Sequence, residues 1–152
     1  MPSDFVEWPI TMTDPTPADL DIMTRTIDGE AENQPELGQI AVAYVIKTRA
    51  EWDPPEWWGH TISEVCKKPW QFSAWNPGPD CDRINALDPG STRYQNLYNI
   101  AQLVLAGTVP DPTNGGTHYK VRGTRASWDA AVAGMVPVSI GAHDFYRLGP
   151  HG

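Results

Sequence analysis

The sequence predicts one domain of the α+β class, mainly helical, that closes on a small antiparallel hairpin. Three observations carry this. The stretch TPADLDIMTRTIDGEAENQPELGQIAVAYVIKTR, residues 16–49, has apolar residues at helical spacing on both sides of a short polar turn. Residues 91–106 place Tyr94, Leu97, Tyr98, Ala101, Val104 and Leu105 on one helical face. Val136, Val138 and Ile140 then alternate, which is the period of a strand. A chain of 152 residues is long enough to bury a single core.

The elements follow in order. Residues 1–13 mix Pro, Trp and acids without a period, so 1–15 reads as an extended arm packed on a domain spanning 16–152. Thr16 is an N-cap type, and Pro17 suits the first helical position, where a missing N–H costs nothing. That helix runs to Glu30, and Asn33-Gln34-Pro35 makes the turn. Glu36 favours the first turn of a second helix ending near Ala50. Residues 40–46 of it are apolar almost all round, which belongs at the centre of a core.

Residues 52–59 are rich in Pro and Trp, and Pro54-Pro55 bars a regular helix there. Thr61 caps a short helix over 62–67, followed by the aromatic and polar loop PWQFSAWNPG, residues 69–78. Residues 80–89 read as irregular and turn-rich. Gly107 is the C′ residue ending the 91–106 helix, and 109–116 is a Pro-, Asn- and Gly-rich loop. Ser127 caps a short helix to about Ala133. The hairpin spans 136–147, with Gly141-Ala142 as its tight turn and residues 143–146 returning. No internal repeat or low-complexity tract is present.

Lys plus Arg number 11 and Asp plus Glu 19, a net charge of −8. A nucleic-acid footprint would be basic, and an anionic membrane surface would repel such a chain. No apolar run approaches the ~20 residues of a membrane-spanning helix. The N-terminus lacks a basic region followed by an apolar stretch, so no secretory leader is expected and synthesis is cytoplasmic. A monomer is the expectation. Cys66 and Cys81 flank the aromatic loop. A bridge would pin that loop and stabilise the fold by roughly 3 kcal/mol in the chain-entropy model; two free, buried thiols are the alternative in a reducing compartment. No CxxC or HExxH spacing is present, so no metal and no cofactor are expected, although His118 and His143 with either cysteine are ligand types.

Met23, Ile27 and Glu30 fall at offsets of four and three, so the carboxylate shares the helix face that packs inward. Apolar neighbours and the negative end of the helix dipole both disfavour its charged form. Both raise its pKa, as a general acid near neutral pH requires. On spacing alone, an acid that merely ends an amphipathic helix and faces water is the simpler reading.

Four separated motifs in order add to this. Gly29-Glu30-Ala31, then Pro35, then GQIAVAYVIKTR over 38–49, resemble the opening motif of the cell wall hydrolase family. These are the spore cortex-lytic, SleB-like enzymes, also found among phage lysins. The family helix usually ends in Asn-Arg; here Thr48 stands in place of the Asn. Gln71-Phe72-Ser73-Ala74-Trp75 resembles the family's Gln-Phe-Ser-x-Trp run. Thr117-His118-Tyr119 with Ser127-Trp128 is similar to its third element, and Ile-Gly-x-His-x-Phe-Tyr-Arg over 140–147 to its last hairpin. The resemblance covers about residues 19–148.

What the resemblance implies is a lysozyme-like fold in which a small antiparallel sheet lines a groove, with Glu30 as the catalytic acid. A sugar needs an apolar face to rest on and hydrogen-bonding groups at its edges. Phe72 or Trp75 would supply the face, and Gln71, Ser73 and Asn76 the edges. His118, Tyr119, Trp128, His143 and Tyr146 complete the expected groove. The implied partner is the glycan strand of peptidoglycan. With net charge −8, hydrogen bonding and stacking must hold an anionic wall.

Glycoside hydrolases recruit a second carboxylate some ~5–9.5 Å from the acid. Asp28 and Glu32 should point to other sides of the helix, and Asp144 should alternate away from His143 and Phe145. The expectation is therefore a lytic transglycosylase cleaving the MurNAc-GlcNAc β-1,4 bond with Glu30 alone. Its setting would be a phage endolysin or virion-associated lysin, released by lysis or carried by a particle. A hydrolytic muramidase with the same acid is the alternative, and a non-catalytic wall-binding or particle-structural module is the rival from another class. Glu32 is the next candidate acid.

Overall fold

A computed structural model describes residues 14–150; the expected N-terminal arm lies, up to residue 13, outside the described residues. Helix α1 (Pro17–Ala31) opens with a reciprocal capping box. The Asp19 amide donates to Thr16 Oγ1 at 3.1 Å, and the Thr16 amide donates to Asp19 Oδ2 at 3.0 Å. The other Asp19 oxygen accepts from the Ser63 amide and hydroxyl, tying α1 to α3 (Ile62–Lys67). Thr61 caps α3 as its sequence predicts, accepting from the Glu64 amide at 3.1 Å.

Helix α2 (Glu36–Ala50) is buried on nearly every side from Ala41 to Ile46 and forms the axis of the core. Helix α5 (Thr92–Leu105) packs on both α1 and α2 through Leu97, Ile100, Ala101, Val104 and Leu105. Ser91 caps its start, and Gly107 follows its end at φ +70°, the left-handed conformation the helix stop predicts.

Helix α4 (Pro79–Asn85) corrects the expectation of an irregular segment over 80–89. Its signals are short-range: Pro79 at the first position and Asp80 and Asp82 in the first turn. The sheet has three antiparallel strands, β1 (His118–Val121), β2 (Val138–Ile140) and β3 (His143–Tyr146), in the order β1-β3-β2. Its hairpin turns at Gly141-Ala142 as expected, but starts at Val138; Val136 is 93% exposed and outside the strand. The central place belongs to β3, which pairs Tyr119 with Phe145 on one side and Val138 with Phe145 on the other.

One further expectation is corrected, and one open alternative is decided. The short helix over 127–133 is a 3-10 turn, Asp129–Val132, with Trp128 at its N-cap and no side-chain cap from Ser127. Cys66 and Cys81 form no bridge. Cys66 is fully buried, which pushes its thiol up to about 12, whereas Cys81 is partly exposed.

Candidate active site

Met23 and Ile27 anchor α1 in the core, and Glu30 stands one turn further on the same face, partly buried. Beside it, Gly29 faces the 3-10 turn Ser73–Trp75. A Cβ at position 29 would lie 2.4 Å from the Ala74 Cβ, so the backbones approach closely only because the residue is glycine. That approach brings the Ala74 amide to 3.1 Å from Glu30 Oε2, to which it donates. The Tyr119 hydroxyl donates to Oε1 at 2.5 Å. The Ser73 hydroxyl is a third partner of the carboxyl.

Burial raises the Glu30 pKa above the ordinary carboxylate value. The three donors and the charge of Arg49 oppose that shift and are outweighed. Tyr119 stays protonated throughout, because burial and the neighbouring Glu30 hold its phenol well above its usual value. Tyr119→Phe removes a donor that favours the ionised acid, so the Glu30 pKa is expected to rise further. The basic limb of the pH–activity profile should move upward, with kcat at low pH within about tenfold of wild type. An unmoved or acid-shifted limb would show that the phenol does not tune the acid.

Arg49 ends α2 inside the protein, only 5% exposed. Its guanidinium lies 5.2 Å from the ring centroids of both Trp58 and Phe72. Nε donates to the Thr117 carbonyl at 2.8 Å and Nη1 to Gln71 Oε1 at 3.2 Å. Burial lowers its pKa to about 10, which leaves it charged at neutral pH.

Glu30, Arg49, Trp70, Gln71, Ser73, His118, Tyr119, Ser127 and Trp128 line one pocket of about 300 Å³. Six of the residues singled out in the sequence thus come together: Glu30, Gln71, Ser73, His118, Tyr119 and Trp128. On the far wall, His118 meets Trp58 and Trp128 edge-on, and Trp128 meets Tyr146 in the same way.

The remaining five lie elsewhere. Phe72, expected to carry a sugar face, is 1% exposed and is instead a core ring beneath Arg49. Trp75 turns its indole N–H onto Thr26 Oγ1 at 2.8 Å, and Asn76 lines a neighbouring groove. His143 is buried against Tyr119 and Phe145 at 5.1 and 6.1 Å between ring centroids. Tyr146 braces Trp128. Alternation in β3 explains Asp144, which points away to accept from Ser139 at 2.6 Å and Arg122 at 3.1 Å.

The sequence reading missed Arg49, Trp70 and Ser127 as pocket residues. Arg49 and Trp70 sit within or beside the quoted motifs, but nothing in their spacing shows that they turn inward. Trp70 carries a signal visible only in the backbone: φ is +66° and the side chain is 79% exposed. A bulky residue in that conformation costs about 1–3 kcal/mol, a strain that clusters at functional sites.

The other acids of the region are occupied. Asp28 and Glu32 leave α1 on another flank, where Arg83 bridges them at 3.0 and 2.7 Å. Arg93 bridges the same two carboxylates. Glu32 is therefore tied into an ion cluster and is not a stand-in for Glu30. Among the described residues, no three His, Cys, Asp or Glu side chains gather as a metal site.

The architecture is that of a lysozyme-like domain: a helical body, a three-stranded sheet and one acid buried at the pocket wall. Two solved structures share it. The catalytic domain of the Bacillus cereus SleB protein superposes with a TM-score of 0.69 at 24% identity, covering 93% of this chain and 100% of that one. The catalytic domain of the germination-specific lytic transglycosylase SleB from Bacillus anthracis gives 0.64 at 23% identity, over 97% and 100%. Comparison with curated proteins finds no match. The profile of the cell wall hydrolase family matches residues 33–146, beginning just past Glu30, and the chain belongs to this family of wall-degrading enzymes.

Proposed function

We propose that the chain is a lytic transglycosylase that cleaves the MurNAc-GlcNAc β-1,4 bond of peptidoglycan with Glu30 as its one acid and base. The observation that carries this reading is the lining of the pocket. Among the described residues it holds a single carboxylate, and burial keeps that group protonated above the ordinary range. Glu30 gives its proton to the glycosidic oxygen as the bond from that oxygen to the muramyl C1 breaks. The carboxylate left behind then takes the proton of the same sugar's 6-hydroxyl, whose oxygen bonds to C1. The product is a 1,6-anhydro end, no water is consumed, and the acid is regenerated.

The neighbours fit each stage. Tyr119 and the Ala74 amide hold both carboxyl oxygens, so the acid need not reorganise between donation and acceptance. Arg49, a fixed buried cation, steadies the carboxylate in the middle of the cycle. The solved domain from Bacillus anthracis, similar in fold, is itself described as a lytic transglycosylase. The wider reading is a monomeric lysin, reaching the wall by lysis or with a phage particle.

Product analysis on purified wall tests this. Mass spectra are expected to show anhydro-muramyl ends throughout. Reducing ends alone, each one water heavier, would make the enzyme a hydrolytic muramidase using the same acid.

A further inference from the structure

A second groove, of about 230 Å³, opens on the other side of Trp70. Trp70, Trp75, Asn76, Lys67 and Lys68 line it, and its two charged residues are both cations. Trp70 also lines the Glu30 pocket, so this one residue borders both spaces. The chain keeps that indole in solvent, in a left-handed backbone conformation that a bulky side chain rarely adopts. The Lys67 ammonium lies 4.7 Å from the Trp75 ring centroid, which holds its long stem along the groove. Two lysines facing one cleft stand out in a chain of net charge −8.

A glycan strand in the first pocket has only certain substituents that can reach over Trp70. A charged polymer esterified at the 6-hydroxyl is excluded at the muramyl sugar being cleaved, because that hydroxyl must be free to attack C1. The peptide on its lactyl arm remains, and such stems are anionic through their carboxylates. We propose that the groove beyond Trp70 is a subsite for the peptide stem of the bound strand, its carboxylates facing Lys67 and Lys68. Trp70 is the partition, presenting one edge to sugar and the other to peptide. The inference rests on the glycan-cleaving reading of the first pocket. Exposed ion pairs are individually weak and screened by salt, so the subsite sets preference between strands and leaves the chemistry to Glu30.

Two measurements on the whole chain test it. In the first, a free stem tetrapeptide and the same peptide with its carboxylates amidated are each added while the tryptophan indole resonances are followed by NMR. The acidic peptide is expected to shift a subset of indole signals at millimolar concentration, and the amidated one to leave them in place. In the second, kcat/KM is compared on stem-bearing and stem-stripped strands for wild type and the double variant K67Q/K68Q. The wild-type preference for stem-bearing strands should fall about tenfold in the variant, through KM, and fall likewise for wild type in high salt. Equal shifts with both peptides, no shift with either, or an unchanged preference would overturn the subsite. Should wild type cleave neither strand, the glycan-cleaving reading fails on its own and the peptide titration alone decides the groove.

Discussion

Glu30→Gln should lower turnover on purified wall by about 10²–10⁴-fold, the usual contribution of a positioned proton donor. The fold should survive, because glutamine keeps the shape of the side chain: its oxygen can accept from the Ala74 amide, and its NH2 can donate to the Tyr119 hydroxyl, which rotates to accept. Stability adds a second signature with a definite sign. The folded protein holds the Glu30 proton more tightly than the unfolded chain does, since burial raises the pKa. Below the unfolded value both states are protonated and nothing is lost. As pH rises through the folded value a buried carboxyl must ionise, and stability falls. The glutamine variant escapes that loss, so its Tm relative to wild type should climb as pH rises. A zymogram and thermal melts across pH read both effects. Undiminished clearing by the variant would move the acid elsewhere, and Glu32 would be a poor heir, held as it is by Arg83 and Arg93.

Phe72→Ala should be the most damaging single truncation for the fold. The ring is 1% exposed and touches the buried Arg49 cation. Truncating such a ring typically costs about 3–5 kcal/mol, which in a chain of this size lowers Tm by roughly 6–20 °C. Differential scanning calorimetry decides the matter. A loss of only a degree or two, joined to a sharp rise in KM, would return Phe72 to the sugar face that its motif first suggested.

The helical body was legible because its signals are local. A Thr16 cap with Asp19 three residues on, an apolar α2, and a glycine after α5 each act within one or two turns. The candidate acid was only half legible: Met23, Ile27 and Glu30 at helical spacing allow an inward-facing carboxylate, but spacing alone favours a helix end facing water, and the family-like motif around residues 29–49 is what singles Glu30 out. Pocket membership was not legible where it depends on long-range packing. Phe72 and Ser73 are adjacent in one motif, yet one packs in the core against Arg49 and the other lines the pocket. Trp70 differs from its aromatic neighbours by a backbone angle that no residue type announces. Helix α4 hid within a turn-rich segment, because seven residues are too few to show a period. The strand β1 hid for a related reason: four residues gain their meaning from pairing with β3 across the intervening loop.

The contact between Gly29 and Ala74 joins two parts of the enzyme that variation might otherwise change independently. With 2.4 Å between a hypothetical methyl at 29 and the one at 74, helix and loop meet like two plates without a washer. One extra carbon would lift the loop, and the amide riding on it would leave the acid. The position of the loop and the hydrogen bonding of Glu30 therefore share a single mechanical tolerance. A designer who wishes to retarget this enzyme would be free to exchange groups at the loop's outer rim, but would have to leave that seam as thin as it is.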